Sequence, residues 1–135
     1  MGITKKFIVT NPAEFEGIIK EAVSSYKNVF VNFISNIDPT TCSLWCRDCQ
    51  VSEPIVNKSF DKSKEELCLV ECQIARDGYK GNPDHPYRTN PQIQLKAIPT
   101  LVFWNQDLPK KTLVEEECHD ESNVDKYIAS FVNKN

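Results

Sequence analysis

Seven consecutive residues, Asn28-Val-Phe-Val-Asn-Phe-Ile34, limit the fold of this 135-residue chain more than any other stretch. Their β-branched and aromatic side chains fall on both faces of an extended segment, and such a segment is buried only as a central strand covered from both sides. After the opening Asn28, Asn32 is the one polar residue in the run.

Layers of helix are therefore required, and the flanking sequence supplies them. Asn11-Pro12 places a capping residue before a favoured first helical residue. Phe15, Ile18, Ile19, Ala22 and Val23 then follow at the spacing of a single apolar stripe, which predicts a helix over about 12–25. Beyond the central strand, residues 35–45 read as a loop, Arg47 to about Phe60 as a helix interrupted and bent at Pro54, and Leu67–Ile74 as a second strand. Ala75 to Arg88 is a long connection rich in Gly, Pro, Asn and Asp, with room for a short helix over 86–95. Thr100–Trp104 and Lys111–Val114 flank 105–109 as an antiparallel hairpin. Val124, Tyr127, Ile128, Phe131 and Val132 predict a final helix over about 121–133. With the apolar run Lys6–Thr10 in front, this order implies parallel pairing through helical crossovers and then an antiparallel pair. The expected fold is a single α/β domain over residues 1–135, a mixed central sheet of about five strands flanked by helices on both faces.

Sixteen Lys and Arg against nineteen Asp and Glu leave a formal charge of −3, which excludes the basic field of a nucleic-acid partner. No stretch approaches the ~20 apolar residues of a membrane span. Met1–Thr10 lacks the apolar core of a secretory signal, and Lys6 stands where myristoylation wants Ser or Thr. The expected location is cytoplasmic. In that reducing compartment six cysteines are read as buried, metal-bound or catalytic thiols rather than as a disulfide framework.

Cys46-x2-Cys49 and Cys68-x3-Cys72 together invite a four-cysteine zinc site. Geometry opposes it if 67–74 is a strand. Cys68 and Cys72 then share a face but stand about 13 Å apart at ~3.3 Å per residue, too far for one zinc or for a disulfide. Burial in the sheet is the expectation for both, and burial or indifference for Cys118. No metal is expected. Cys42 reads as a solvent-facing residue or an auxiliary thiol.

Cys46 and Cys49 are a different matter, because a CxxC that opens a helix after a strand carries a mechanism. Unpaired N–H groups and the helix dipole at that point stabilise an anion by about 0.3–2 kcal/mol, enough to bring a thiol from ~8.5 toward ~7. A value near ambient pH combines thiolate fraction with nucleophilicity. Cys49, one turn on, is placed to resolve the mixed disulfide formed by Cys46. Arg47 favours the thiolate through its charge while Asp48 opposes it, with Arg47 expected to prevail modestly, and two solvated charges of little influence are the alternative reading. Glu53 shares the helix face of Cys49 at i+4, where it either takes the resolving thiol's proton or is simply solvated. Trp45 offers an apolar wall for substrate, or packing.

These residues resemble the thioredoxin superfamily. Trp45-Cys-Arg-Asp-Cys49 is followed by Pro54, eight residues after the first cysteine, and Ile98-Pro99-Thr100 is similar to the cis-proline loop that precedes the hairpin in thioredoxins. Within the superfamily the chain most resembles the small thioredoxin-related proteins of the thioredoxin domain-containing protein 17 type. Glu53-Pro54, Cys72-Gln73, the Tyr79, Pro83 and Tyr87-Arg88 insertion, and the Leu113 to Cys118 ending carry that likeness. The resemblance implies a thioredoxin fold and a dithiol–disulfide reductase. In it, Cys46 attacks a substrate disulfide, Cys49 releases the product, and thioredoxin reductase with NADPH restores the dithiol, with no other cofactor. It implies a cis Pro99 whose loop lies against the sulfurs, and an Ile98 that offers backbone groups to substrate. The implied substrates are small disulfides such as cystine and a limited set of oxidised proteins, handled by a monomer.

Two departures stand out. Asn32 occupies the place where thioredoxins carry a buried acid, which shifts the burden of proton acceptance toward Glu53. Arg47 replaces the proline of the family motif. A redox-sensitive binding module, in which turnover is incidental, and a thiol peroxidase are the competing functional readings.

Overall fold

The computed structural model of the protein describes residues 3–63, 65–105 and 108–132. Its centre is the run identified from sequence, β2 (Val29–Ser35), in which every residue is buried. Around it stands a five-stranded sheet built with β1 (Lys5–Val9), β5 (Cys68–Ile74), β6 (Thr100–Asn105) and β7 (Leu108–Val114), in the order β1-β5-β2-β6-β7. β5 is parallel to both β1 and β2, whereas β2/β6 and β6/β7 are antiparallel. Two strands left out of that sheet, β3 (Ile37–Asp38) and β4 (Ser43–Leu44), make a small hairpin inside the segment expected to be loop.

Alternation along β2 divides the interior into two layers. Val29, Val31 and Phe33 face α1 (Phe15–Ser25), whose buried Phe15, Ile19 and Ala22 are three of the five residues of the predicted stripe. On that side Phe15 meets Phe33, Tyr87 and Trp104 at ring-centroid distances of 6.0, 5.8 and 5.4 Å. Phe30 faces the other layer, where Val56 and Phe60 of α2 (Arg47–Asp61) and Val124, Tyr127 and Ile128 of α4 (Glu121–Val132) close over it. The helices thus cover both faces of a mixed sheet.

Two expectations require correction. Pro54 does not interrupt α2, which is one helix from Arg47 to Asp61; the missing N–H leaves the Gln50 carbonyl without its i+4 donor, and packing on the sheet holds the rest. The short helix in the long connection, α3 (Pro86–Thr89), is a single turn capped by His85, whose Nδ1 accepts from the Tyr87 amide at 3.1 Å. A further 3-10 turn, Glu115–Cys118, follows β7. Residues 106 and 107 of the predicted hairpin turn, and residue 133 of the last helix, lie outside the described residues.

Candidate active site

Cys46 is the N-cap residue of α2, in extended backbone geometry at φ −96° and ψ 119°. At this position a serine or aspartate oxygen ordinarily accepts an orphan amide of the first turn. Here the acceptor is sulfur: the Cys49 N–H points at Cys46 Sγ over 3.3 Å. The Cys46 thiol is brought down from 9.0 to about 7, chiefly by hydrogen bonding from the Cys49 side chain and also by the Cys49 and Asp48 amides, against opposition from burial and from the Asp48 charge. Arg47, exposed to solvent, has no part in that balance. The Cys49 thiol first, and the first-turn amides after it, therefore do the work expected of the Arg47 charge.

Cys49 is fully buried, and its thiol is pushed far above the ordinary range, first by its interaction with Cys46 and then by burial. The backbone and hydroxyl of Ser35 pull the other way. Ser35 ends β2, is wholly buried, and its Oγ also accepts the Cys46 N–H at 3.3 Å. Sequence reasoning assigned no role to this residue. Only the approach of the end of β2 to the start of α2 shows it, because ten residues, the β3–β4 hairpin among them, separate Ser35 from Cys46.

Asn32 is 3% exposed in the middle of β2, between Glu71 and Leu101 of the adjacent strands, so it does not end the strand early. Its Oδ1 has no hydrogen-bond partner among the described atoms. Glu53 is half-buried and makes no ion pair among the described residues, and it is absent from the groups that move the Cys49 thiol. Asp48 stands 3.6 Å from His119 Nε2, a partner from the far side of β7 that no sequence pattern suggested.

The remaining wall comes from two loops. The Ile98–Pro99 peptide is cis, and the Ile98 carbonyl accepts from Cys46 Sγ at 3.7 Å. Trp45 is half-buried, with its Nε1–H donating to the Ile74 carbonyl at 2.9 Å. Its indole lies 6.3 Å from the ring of Tyr79, which in turn meets His85 at 5.2 Å and carries the Arg88 guanidinium over its face at 4.0 Å. The Tyr79 to Arg88 insertion is thus a buttress for the residue preceding the nucleophile.

The other sulfurs stay apart from this site. Cys68 and Cys72 sit on one face of β5 in the core, where burial raises Cys68 to about 11 and Cys72 further; Cys118 is the buried last residue of the 3-10 turn, and Cys42 is exposed. Among the described residues no group of three or more His, Cys, Asp or Glu is placed to hold a metal, and no helix is long and apolar enough to cross a membrane.

Residues 8–130 match the family described as thioredoxin domain-containing protein 17-like, thioredoxin domain. The chain is 31% identical over 121 residues to the Arabidopsis thaliana thioredoxin-like protein Clot, covering 87% of this chain and 90% of that one. To thioredoxin domain-containing protein 17 of Mus musculus it is 30% identical over 112 residues, covering 83% and 85%. It also matches, at 34% identity over 88 residues, a Leishmania infantum protein named acireductone dioxygenase, of whose length it spans only 26%, so that name describes a much longer protein. Among solved structures, a Malassezia sympodialis thioredoxin superposes with a TM-score of 0.62 at 17% identity, covering 98% of this chain and 93% of that one, a likeness of fold. A thioredoxin fold with its CxxC at a helix start, and a family match across nearly its whole length, place the chain in the thioredoxin domain-containing protein 17-like family of thiol–disulfide oxidoreductases.

Proposed function

We propose that the protein is a cytoplasmic, monomeric disulfide reductase. It acts on small disulfides such as cystine and on selected oxidised proteins, and is recharged by thioredoxin reductase with electrons from NADPH. The observation that carries this reading is the cap: a thiol near pH 7 at the start of α2, held 3.3 Å from the amide of a second, buried cysteine.

The Cys46 thiolate attacks one sulfur of R–S–S–R. The substrate S–S bond breaks, a Cys46–S–S–R bond forms, and RS⁻ departs and takes a proton from water. Once Cys46 is in that bond, its hydrogen bond with the Cys49 thiol, which raises Cys49 most, and its smaller charge effect are both removed, so Cys49 becomes more acidic at the moment its thiolate is needed. Ser35 then stabilises the developing anion. Cys49 attacks the Cys46 sulfur, the second RS⁻ leaves, and the dithiol has given up two electrons as a Cys46–Cys49 disulfide. The Ile98 carbonyl and the Pro99 loop align substrate backbone beside the sulfur, and Trp45 with its Tyr79 buttress narrows the approach, which favours small disulfides over bulky ones. Asp48 tunes the nucleophile upward. Glu53 enters only as an acceptor of protons through water.

Trapping tests the order of events. Cys49→Ser incubated with excess cystine is expected to gain one cysteinyl group on Cys46, stable until a thiol is added. An unmodified Cys46, or a modification at Cys42 instead, contradicts the assignment of the nucleophile.

A further inference from the structure

Trp45 has a second surface. A cleft of about 240 Å³ lies between the β3–β4 hairpin and the chain leaving β5, and Asn36, Asp38, Trp45, Arg76 and Asp77 are among its lining residues. The indole forms a fixed wall, because its N–H is tied to the Ile74 carbonyl. The other four residues are one cation, two anions and an amide. Asp38 Oδ1 accepts from the Thr40 amide at 2.8 Å, and its second oxygen is unassigned. Among the described residues, Arg76 and Asp77 make no ion pair with each other or with anything else, and the Asn36 side chain makes no hydrogen bond.

A cleft that holds both signs of charge without pairing them suits a ligand that carries both signs close together. An apolar ligand would strip water from all four polar groups and return nothing. A simple anion or a simple cation would satisfy half of them and meet repulsion from the rest. In an α-amino acid, carboxylate and ammonium share one carbon, and in its thiol-bearing form the sulfur is two bonds from that carbon. Trp45 lines the cleft and is joined directly to Cys46, so an amino-acid head held there sits one residue from the nucleophile.

We propose that this cleft is a recognition subsite for the α-amino-acid end of a disulfide substrate, with Arg76 taking the carboxylate and Asp38 with Asp77 taking the ammonium group. The inference rests on the reductase reading above and names the chemistry that reading selects. Disulfides with free α-amino and α-carboxylate groups are preferred over disulfides that carry only one of them.

Three disulfides separate the charges: cystine has both, cystamine has only ammonium groups, and 3,3′-dithiodipropionate has only carboxylates. Arg76→Ala is expected to raise KM for cystine and for dithiodipropionate by about five-fold, the scale of one partly exposed charge-assisted contact, and to lower it for cystamine, with the change in KM rather than kcat. The Asp38→Asn, Asp77→Asn pair is expected to do the reverse, raising KM for cystamine and lowering it for dithiodipropionate. An equal change on all three substrates, or none, overturns the subsite while leaving the reductase intact. If the unaltered protein reduces none of the three, the reductase reading fails and binding decides the subsite alone. S-methylcysteine titrated into Cys46→Ser is expected to move the NMR signals of the Asn36 and Arg76 amides and the Trp45 indole N–H, saturably and only while Arg76 is present. The absence of such shifts at tens of millimolar overturns the proposal.

Discussion

A thiol that titrates at about 7 is roughly half ionised at neutral pH, where an ordinary cysteine is a few per cent thiolate. The protonated form is inert and the thiolate attacks, so kcat/KM for a small disulfide is expected to rise as pH increases through about 7 and to level off above it. A rate that is flat from pH 6 to 8 contradicts this. Because Asp48 raises the thiol and Arg47 has no part, Asp48→Asn is expected to move the midpoint of the thiolate absorbance titration downward while Arg47→Ala leaves it in place. Ser35 has a different signature. Its hydroxyl accepts the Cys46 amide and faces Cys49, so Ser35→Ala is expected to slow resolution of the mixed disulfide by about ten-fold, the scale of a lost hydrogen bond to a charged group, while the first attack is less affected. Rapid quench followed by mass spectrometry reads both steps, and equal slowing of the two would make Ser35 merely structural. Cys46 and Cys49 were legible in the sequence because their chemistry is written in adjacent residues. Ser35 was not, since a lone serine at the end of a strand has no pattern until the fold sets it under the dithiol.

At the scale of elements, α1, β2, β5 and α4 follow from periodicity, because each buries a full stripe or both faces of a segment long enough to show it. The β3–β4 hairpin escaped notice because two-residue strands carry no period. The Glu115–Cys118 turn escaped because three successive glutamates look like solvent-facing loop. α2 exceeded expectation at Pro54, where tertiary packing outweighed one lost backbone bond. The link between β6 and α4 is a matter of accounting for donors. The β6/β7 register shifts between Val102 and Trp104, which leaves Phe103, paired with Phe30 of β2 on its other side, without a β7 partner, and its N–H donates to the buried Tyr127 hydroxyl at 2.8 Å. Tyr127→Phe removes that acceptor and is expected to destabilise the fold by about 1–3 kcal/mol in urea unfolding. No change in the midpoint would show that the amide finds another partner.

In the whole molecule, chain order explains why the chemistry collects at one end. β2 and β5 are parallel neighbours, so their carboxyl ends emerge together and deliver Ser35, the Ile74 carbonyl that anchors Trp45, and Arg76 to the same edge. The antiparallel return through β6 starts at Thr100, which places the cis Pro99 loop against Cys46. Sequence reading supplied the motif and the loop, whereas the parallel register that joins them to Ser35 and to the Arg76 cleft is a property of the assembled sheet. The central claim is that this arrangement passes two electrons from a dithiol to a disulfide. Its most direct test is NADPH consumption with thioredoxin reductase and cystine, comparing the protein with Cys46→Ser. Turnover that requires Cys46 is the predicted result. A folded, reduced protein that supports no NADPH consumption, or a Cys46→Ser variant that supports as much, would contradict the account.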